Sequence, residues 1–337
     1  MALTQLSDVL IPQIWIPYAL NATTTKSELV TSGIVQSDPV FDALANGAGQ
    51  TANMPFWNDL TGTSQVISDS TPLVPQKIGT TKDIAVIQER GNPWEHNDLV
   101  SMLTGSDPAK AVAEFVGAYW ARDMQATVLS QLKGVFSAAS MSALILAIHQ
   151  TSGAPGVANY LTGATFVDAC QKLGDAKSLL TAVAMHSAVE ASLIKLDLID
   201  YVPDSEGKSM LKMFQGKRVI VDDGLPVETI NSANVYTTYL FGQGAIALGN
   251  GNAASMAAVA GGFGTWGLEF YRTALGGNSG MINRKKMILH PRGVKWTGNT
   301  MAGPSPSNAE FENAANWERV FDVKKMRVVK VTHNIAE

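Results

Sequence analysis

Apolar residues recur at intervals of three or four between positions 109 and 136: Val112, Val116, Tyr119, Trp120, Leu129, Leu132 and Phe136, with Glu114, Arg122 and Lys133 left for other faces. That spacing predicts one long helix, roughly 40 Å at about 1.5 Å per residue. Ser106-Asp107-Pro108 marks its start, because a side-chain acceptor ahead of proline satisfies orphan amides and proline has none to lose. Upstream the period shortens. Asn53-Met54-Pro55-Phe56-Trp57, Val66-Ile67 and Ile84-Ala85-Val86-Ile87 are strand-like runs broken by polar, Gly and Pro residues, which predicts a β-rich loop from about 52 to 92. Residues 1–50 carry only scattered hydrophobics; stretches such as 8–16 and 28–35 are too short to bury a face alone, so an extended arm is expected.

Downstream of the long helix, residues 163–180 repeat the helical spacing through Phe166, Ala169, Cys170, Leu173, Ala176, Leu179 and Leu180. An apolar strand over 181–185 and a short helix over 187–195 follow. Val219-Ile220-Val221 predicts a buried strand ended by Asp222-Asp223-Gly224, and 237–241 is expected to pair with 245–248 across Gly242-Gln243-Gly244 as a hairpin. These elements make a compact central α/β unit. Residues 250–280 are rich in Gly and Ala, and strand character resumes at 284–289 and 325–331, on either side of a Gly/Pro/Ser/Asn segment at 298–308. No fixed-period repeat appears, which argues against a solenoid or propeller.

Composition narrows the class. Of 337 residues 46% are hydrophobic and 16% charged, enough for a sizeable core and unlike a disordered chain. Length alone implies about two domains, or an elongated molecule with interleaved subdomains. A net charge of −4 lacks the basic excess that dominant phosphate binding requires, so any DNA contact is expected to be local and weak. The single cysteine, Cys170, cannot form an intrachain disulfide, and no thiol-rich zinc spacing exists, which fits a reducing cytoplasm. The first residues lack a basic signal-peptide region, and Pro12 and Pro17 interrupt any apolar helix there. The longest apolar stretch, 135–148, falls short of the ~20 residues of a membrane span, so a soluble protein is expected.

Candidate chemistry is sparse. Gly262-Phe263-Gly264-Thr265-Trp266-Gly267 has the GxGxxG spacing of a dinucleotide-binding turn, but a Gly/Ala/Met run precedes it where a buried strand belongs. Gly207-Lys208-Ser209 resembles the end of a P-loop, yet Val202 stands where its first glycine is needed. Asp222 and Asp223 could hold a metal, although adjacent strand residues point to opposite faces and an Asp-Gly turn explains them. His186 and Glu190 share helical spacing without a second histidine; a helix start and a solvent face account for them. His96, His149, His186, His290 and His333 sit beside no nucleophile signature. No catalytic, cofactor-binding or metal residue is assigned, and no cofactor is expected. Arg284-Lys285-Lys286 and Lys324-Lys325 are expected to pair with acids such as Glu310 and Glu312 on neighbouring copies, rather than to touch nucleic acid.

The order of arm, β-loop, long Pro-capped helix, central α/β unit and returning strands resembles the major capsid proteins of tailed bacteriophages, whose fold encapsulin shells share. Stretches that carry the resemblance are Asn53-Met54-Pro55-Phe56-Trp57, Ile78-Gly79-Thr80 through Arg90-Gly91, Asp107-Pro108 with Tyr119-Trp120-Ala121-Arg122, and Leu132-Lys133-Gly134-Val135-Phe136. The second half adds 196–201, Val219-Ile220-Val221-Asp222-Asp223-Gly224, His290-Pro291-Arg292-Gly293-Val294-Lys295-Trp296 and Asn316-Trp317-Glu318-Arg319-Val320, so it covers most of the chain. The resemblance implies an α+β phage capsid fold: an N-terminal arm at 1–51, an extended β-loop at 52–95, a peripheral domain at 96–139 with its spine helix at 107–136, an axial domain at 140–260 and a return to the peripheral domain at 261–337. It implies a structural protein, not an enzyme, that self-assembles as pentamers and hexamers of an icosahedral shell around double-stranded DNA. Scaffolding, portal and decoration proteins are the implied partners, with no membrane, and the implied location is the virion after assembly in the host cytoplasm.

Some relatives crosslink a Lys to an Asn, but Lys77 and Lys82 align with no such motif. With the arm starting close to Met1, no fused scaffolding domain is expected. Glycines such as Gly47, Gly49, Gly62 and Gly91 are expected to let arm and loop change angle between shell environments. Two other readings stay open at this point: an encapsulin-like nanocompartment and, from another class, an NAD-dependent oxidoreductase resting on the lone GxGxxG.

Overall fold

A computed structural model describes residues 32–47, 49–60, 62–67, 69, 72–97, 108–203, 210–251, 268–272 and 278–335. The predicted long helix runs over Pro108–Ser137, about 45 Å at 1.5 Å per residue. Val116, Trp120, Met124, Val128, Leu132, Val135 and Phe136 are buried along it, a stripe at steps of three and four that faces the core. Leu129 and Tyr119 are half-buried and Arg122 is exposed. Ser106 and Asp107, and the side chains of Val112 and Glu114, lie outside the described residues.

Two sheets flank this helix. The first has five strands, in the order Val35–Ser37, Ile246–Asn250, Asn278–Pro291 and Leu268–Arg272, with Gln88–Asn97 also paired to the long strand Asn278–Pro291. The second has eight. Its path is Ile145–Ala147, Val328–His333, Ala233–Gly242, Leu180–Met185, Lys217–Val221, Met210–Phe214 and Ile199–Pro203, with Val227–Ile230 on the flank of Ala233–Gly242. The predicted strand at 219–221 thus lies inside Lys217–Val221, and the helix predicted at 187–195 is Ser187–Lys195.

Five local expectations are corrected. The pairing expected between 237–241 and 245–248 does not form: Ala233–Gly242 lies between Val328–His333 and Leu180–Met185, while Ile246–Asn250 pairs with Asn278–Pro291 in the other sheet. Gly242-Gln243-Gly244 is therefore a corner between sheets. Gly244 turns there with φ +62°, and a Cβ on Gly242 would stand 2.6 Å from the Leu179 carbonyl oxygen. The helix expected over 163–180 stops after Gly163–Gln171; Gly174, at φ +61°, starts a separate 3₁₀ segment, Gly174–Leu179. Val66-Ile67 carries no strand, and 325–331 divides into a 3₁₀ turn at Val323–Lys325 and the strand Val328–His333.

The fifth correction concerns the arm. Residues 1–31 lie outside the described residues, but the end of the expected arm belongs to the body. Ile34 and Val35 are buried, Val35–Ser37 pairs in parallel with Ile246–Leu248, and Pro39–Ala45 is a helix capped by Asp38. Arg292 holds it from the core, with its guanidinium 3.2 Å from Asp38 and over the Phe41 ring at 5.4 Å.

The motif His290-Pro291-Arg292-Gly293-Val294-Lys295-Trp296 and the motif Asn316-Trp317-Glu318-Arg319-Val320 meet in space. Val294–Trp296 pairs antiparallel with Trp317–Arg319, and the rings of Trp296 and Trp317 meet edge to face at 4.9 Å. Phe311 completes the cluster 5.2 Å from Trp296.

Candidate functional site

The strands Thr51–Trp57 and Thr80–Val86 form an antiparallel hairpin that carries residues 58–79 beyond its last pair, Trp57 with Thr80. Side chains alternate strictly. Ala52, Met54 and Phe56 share the inner face with Ala85, Asp83 and Thr81, their direct partners across the hairpin. At the base, Ala52, Ala85 and Ile87 pack with Phe41, Ala45, Ala247 and Ile288. Further out, Phe56 meets Phe321 edge to face at 5.0 Å.

Between these two apolar contacts lies a buried carboxylate. Asp83 Oδ1 stands 2.9 Å from Nε2 of His290, and the Gly293 amide donates to Asp83 Oδ2 at 3.3 Å. With the carboxylate ionised, Nε2 carries the hydrogen. His290 is wholly buried and stacks on Trp317, and its Nδ1 has no hydrogen-bond partner among the described residues. Sequence reasoning misses this pair. Its signal is an acid at 83, a position that the two-residue period of the hairpin assigns to the buried face.

The projecting part is apolar and exposed. Trp57, Leu60, Val66, Ile67, Leu73, Val74 and Ile78 all face solvent, with Val66 91% and Ile67 82% exposed. The amide side chain of Gln65 braces the loop: it donates to the Val74 carbonyl and accepts from the Val74 amide, each at 2.8 Å, as a strand neighbour would. Lys77 and Lys82 lie on the same hairpin, Lys77 exposed and Lys82 at its outer face.

The other candidates resolve into local structure. Asp222 accepts from the Gly224 amide at 2.9 Å, the turn role expected of it. Asp223 accepts from Ser187, whose hydroxyl and amide hold its carboxyl below the usual range, with His186 adding to the shift. His186 caps its helix by accepting from Ala188. Glu190 departs from the expected solvent face: it is half-buried and paired with Lys212. His149 meets the Thr332 hydroxyl at 2.9 Å. Among the described residues, no group of three or more His, Cys, Asp or Glu is placed to hold a metal ion. Gly262–Gly267, Gly207–Ser209 and the His96 side chain lie outside the described residues.

Three lysines of the basic clusters have acidic partners within the chain. Lys286 is 3.5 Å from Glu89, Lys324 is 2.9 Å from Asp175, and Lys325 is 3.4 Å from Asp59. Glu312, expected to reach a neighbour, pairs with Lys133 at 2.6 Å, and Glu310 closes a capping box with Ser307. No described helix is long and apolar enough to cross a membrane.

No family model matches the chain. Among individual proteins, it is 47% identical to the major capsid protein of Bacillus phage SPP1 over 338 aligned positions, covering 99% of each chain. Among solved structures, the capsid of Ralstonia phage GP4 superposes with a TM-score of 0.60 at 9% identity, over 90% of this chain and 88% of that one. The cyanophage Pam1 capsid gives 0.54 at 11% identity, over 90% and 88%. At those identities the structures speak for the fold alone, and the fold is the one the residue motifs resembled. Near-complete coverage at 47% identity carries the assignment further: the chain belongs to the major capsid proteins of tailed bacteriophages, the shell-forming subunits of the phage head.

Proposed function

We propose that copies of this chain join as pentamers and hexamers of an icosahedral shell around double-stranded DNA, and that the projecting hairpin is a principal joint between copies. The observation that carries this reading is the set of exposed apolar residues Trp57, Leu60, Val66, Ile67, Leu73, Val74 and Ile78, none of which is buried against the rest of the loop. Water contact along such a set is costly at about 25 cal/mol per Å², and a neighbouring copy is the surface present at high enough local concentration to cover it. Residues 52–95 serve as the extended loop, 96–139 and most of the C-terminal return as the peripheral body, and the eight-stranded sheet as the axial part, which the chain leaves at the Gly242–Gly244 corner and rejoins with its last strand, Val328–His333. The subunit acts structurally rather than as an enzyme. It works with scaffolding and portal proteins and, in some shells, decoration proteins, assembles in the host cytoplasm, and touches DNA weakly because its charge of −4 offers little to phosphates.

Electron microscopy and light scattering on Val66→Asp/Ile67→Asp test the joint. Native protein, expressed with its neighbouring phage genes, is expected to give closed shells, and the variant folded subunits or isolated rings. Normal shells from the variant would remove the hairpin tip from the contact.

A further inference from the structure

We propose that Asp83 and His290 form a latch that sets the angle at which the hairpin leaves the body, and that they act as positioning residues for shell assembly. The inference deepens the joint role given to the hairpin and rests on it.

Asp83 sits mid-strand on the inner face, between Ala85 near the base and Thr81 further out. It is 6% exposed and His290 is 0% exposed. A charge is a poor choice there for stability, since desolvation offsets most of what a buried pair gains and an apolar pair of like volume often does as well. What the pair supplies is direction. The apolar contacts on either side are non-directional: at the base the hairpin offers Ala52, Ala85 and Ile87, whose packing fixes no donor–acceptor line, and further out it offers one edge-to-face ring contact. Asp83 by contrast engages two fixed donors at once, the His290 ring and the Gly293 backbone amide, on either side of the Pro291-Arg292 corner. His290 is itself held by its ring stack on Trp317 and by its backbone in the long strand. Both oxygens are satisfied at one hairpin angle only, because a tilt of a few ångströms at Asp83 breaks both bonds.

The test measures the angle in the unassembled subunit, so it does not depend on whether shells form. Spin labels at Val66→Cys and Val157→Cys, both highly exposed, report the distance from hairpin tip to body by electron paramagnetic resonance. Cys170 is buried and is replaced by Ala in a control. The native latch is expected to give one narrow distance distribution. Asp83→Asn, which keeps the volume, and the apolar double variant Asp83→Leu/His290→Leu are each expected to broaden it at least twofold while the unfolding midpoint of the double variant stays at or near the native value. An unchanged distribution in both variants would overturn the latch, and so would a lowered midpoint with a narrow distribution, which marks a purely structural pair. If the distributions broaden but Val66→Asp/Ile67→Asp still gives normal shells, the latch stands and the joint reading fails.

Discussion

A Cβ placed on Gly134 would stand 1.9 Å from the carbonyl oxygen of Phe311, the same oxygen that accepts from the Trp317 indole at 2.8 Å. The long helix therefore touches the short helix Asn308–Glu312 backbone to backbone, with room for hydrogen alone.

This sets a sign that helix propensity would get wrong. In an open helix Gly→Ala gains about 1 kcal/mol, whereas here the added methyl must push the segment away, an overpacking cost of about 1–3 kcal/mol. Gly134→Ala is expected to lower the guanidinium unfolding midpoint of the subunit. A raised midpoint would mean that the contact opens freely.

His333 gives an acid-sensitive seam in the eight-stranded sheet. Burial pushes its pKa down to about 4, against a smaller opposing effect of its bond to the Asn334 carbonyl. Its Nδ1 donates to that carbonyl, so Nε2 is left to accept from Thr238 at 2.9 Å. The folded value lies below the unfolded 6.5, so the neutral ring is the folded form. Its contribution is complete above the unfolded value and declines as pH falls toward the folded one. Unfolding midpoints measured from neutral pH down to about 4 are expected to fall, and to fall less steeply in His333→Gln.

Lys285 behaves with the same sign in the alkaline range. Burial holds its amine at about 8, with Asp123 pulling the other way, and Nζ lies 2.9 Å from Met124 Sδ. Since the unfolded amine titrates near 10.5, stability rises with pH between about 8 and 10.5 and is lost on the way back down. The full span is worth about 3 kcal/mol. Lys285→Met is expected to be more stable than native at neutral pH and to lose that alkaline rise, read by denaturant titration on both sides of the interval.

The sheet-switching corner makes a fourth test. Gly242→Ala would drive a methyl against the Leu179 carbonyl oxygen. A loss of about 1–3 kcal/mol is expected, with faster hydrogen exchange in both Ala233–Gly242 and Ile246–Asn250. Faster exchange in one strand alone would show that the two sheets open separately.

Helices and strands with a strong period are legible in the residues themselves. The long helix, Ser187–Lys195 and the strand-like runs at 53–57 and 84–87 all follow from side-chain spacing. What spacing does not supply is partner choice. The runs on either side of Gly242-Gln243-Gly244 have the local chemistry of a hairpin, and only burial in two different sheets, against Val328–His333 and against Asn278–Pro291, sends them apart. The inner end of the arm is hidden for a related reason: Phe41 and Ala45 are too few to announce a helix, yet a glycine at 249 lets the Phe41 backbone come close enough to bury both. Asp83 and His290 lie 207 positions apart, beyond the reach of any local pattern.

The corner at Gly242–Gly244 also decides how a subunit would carry load. Because one run of backbone from Ala233 to Asn250 threads both sheets, tension applied to either is handed to the other through covalent bonds. Ala233–Gly242 is laddered on both sides, so pulling along it strains its hydrogen bonds together in shear instead of peeling them one at a time. Within one subunit the two sheets therefore bear tension together.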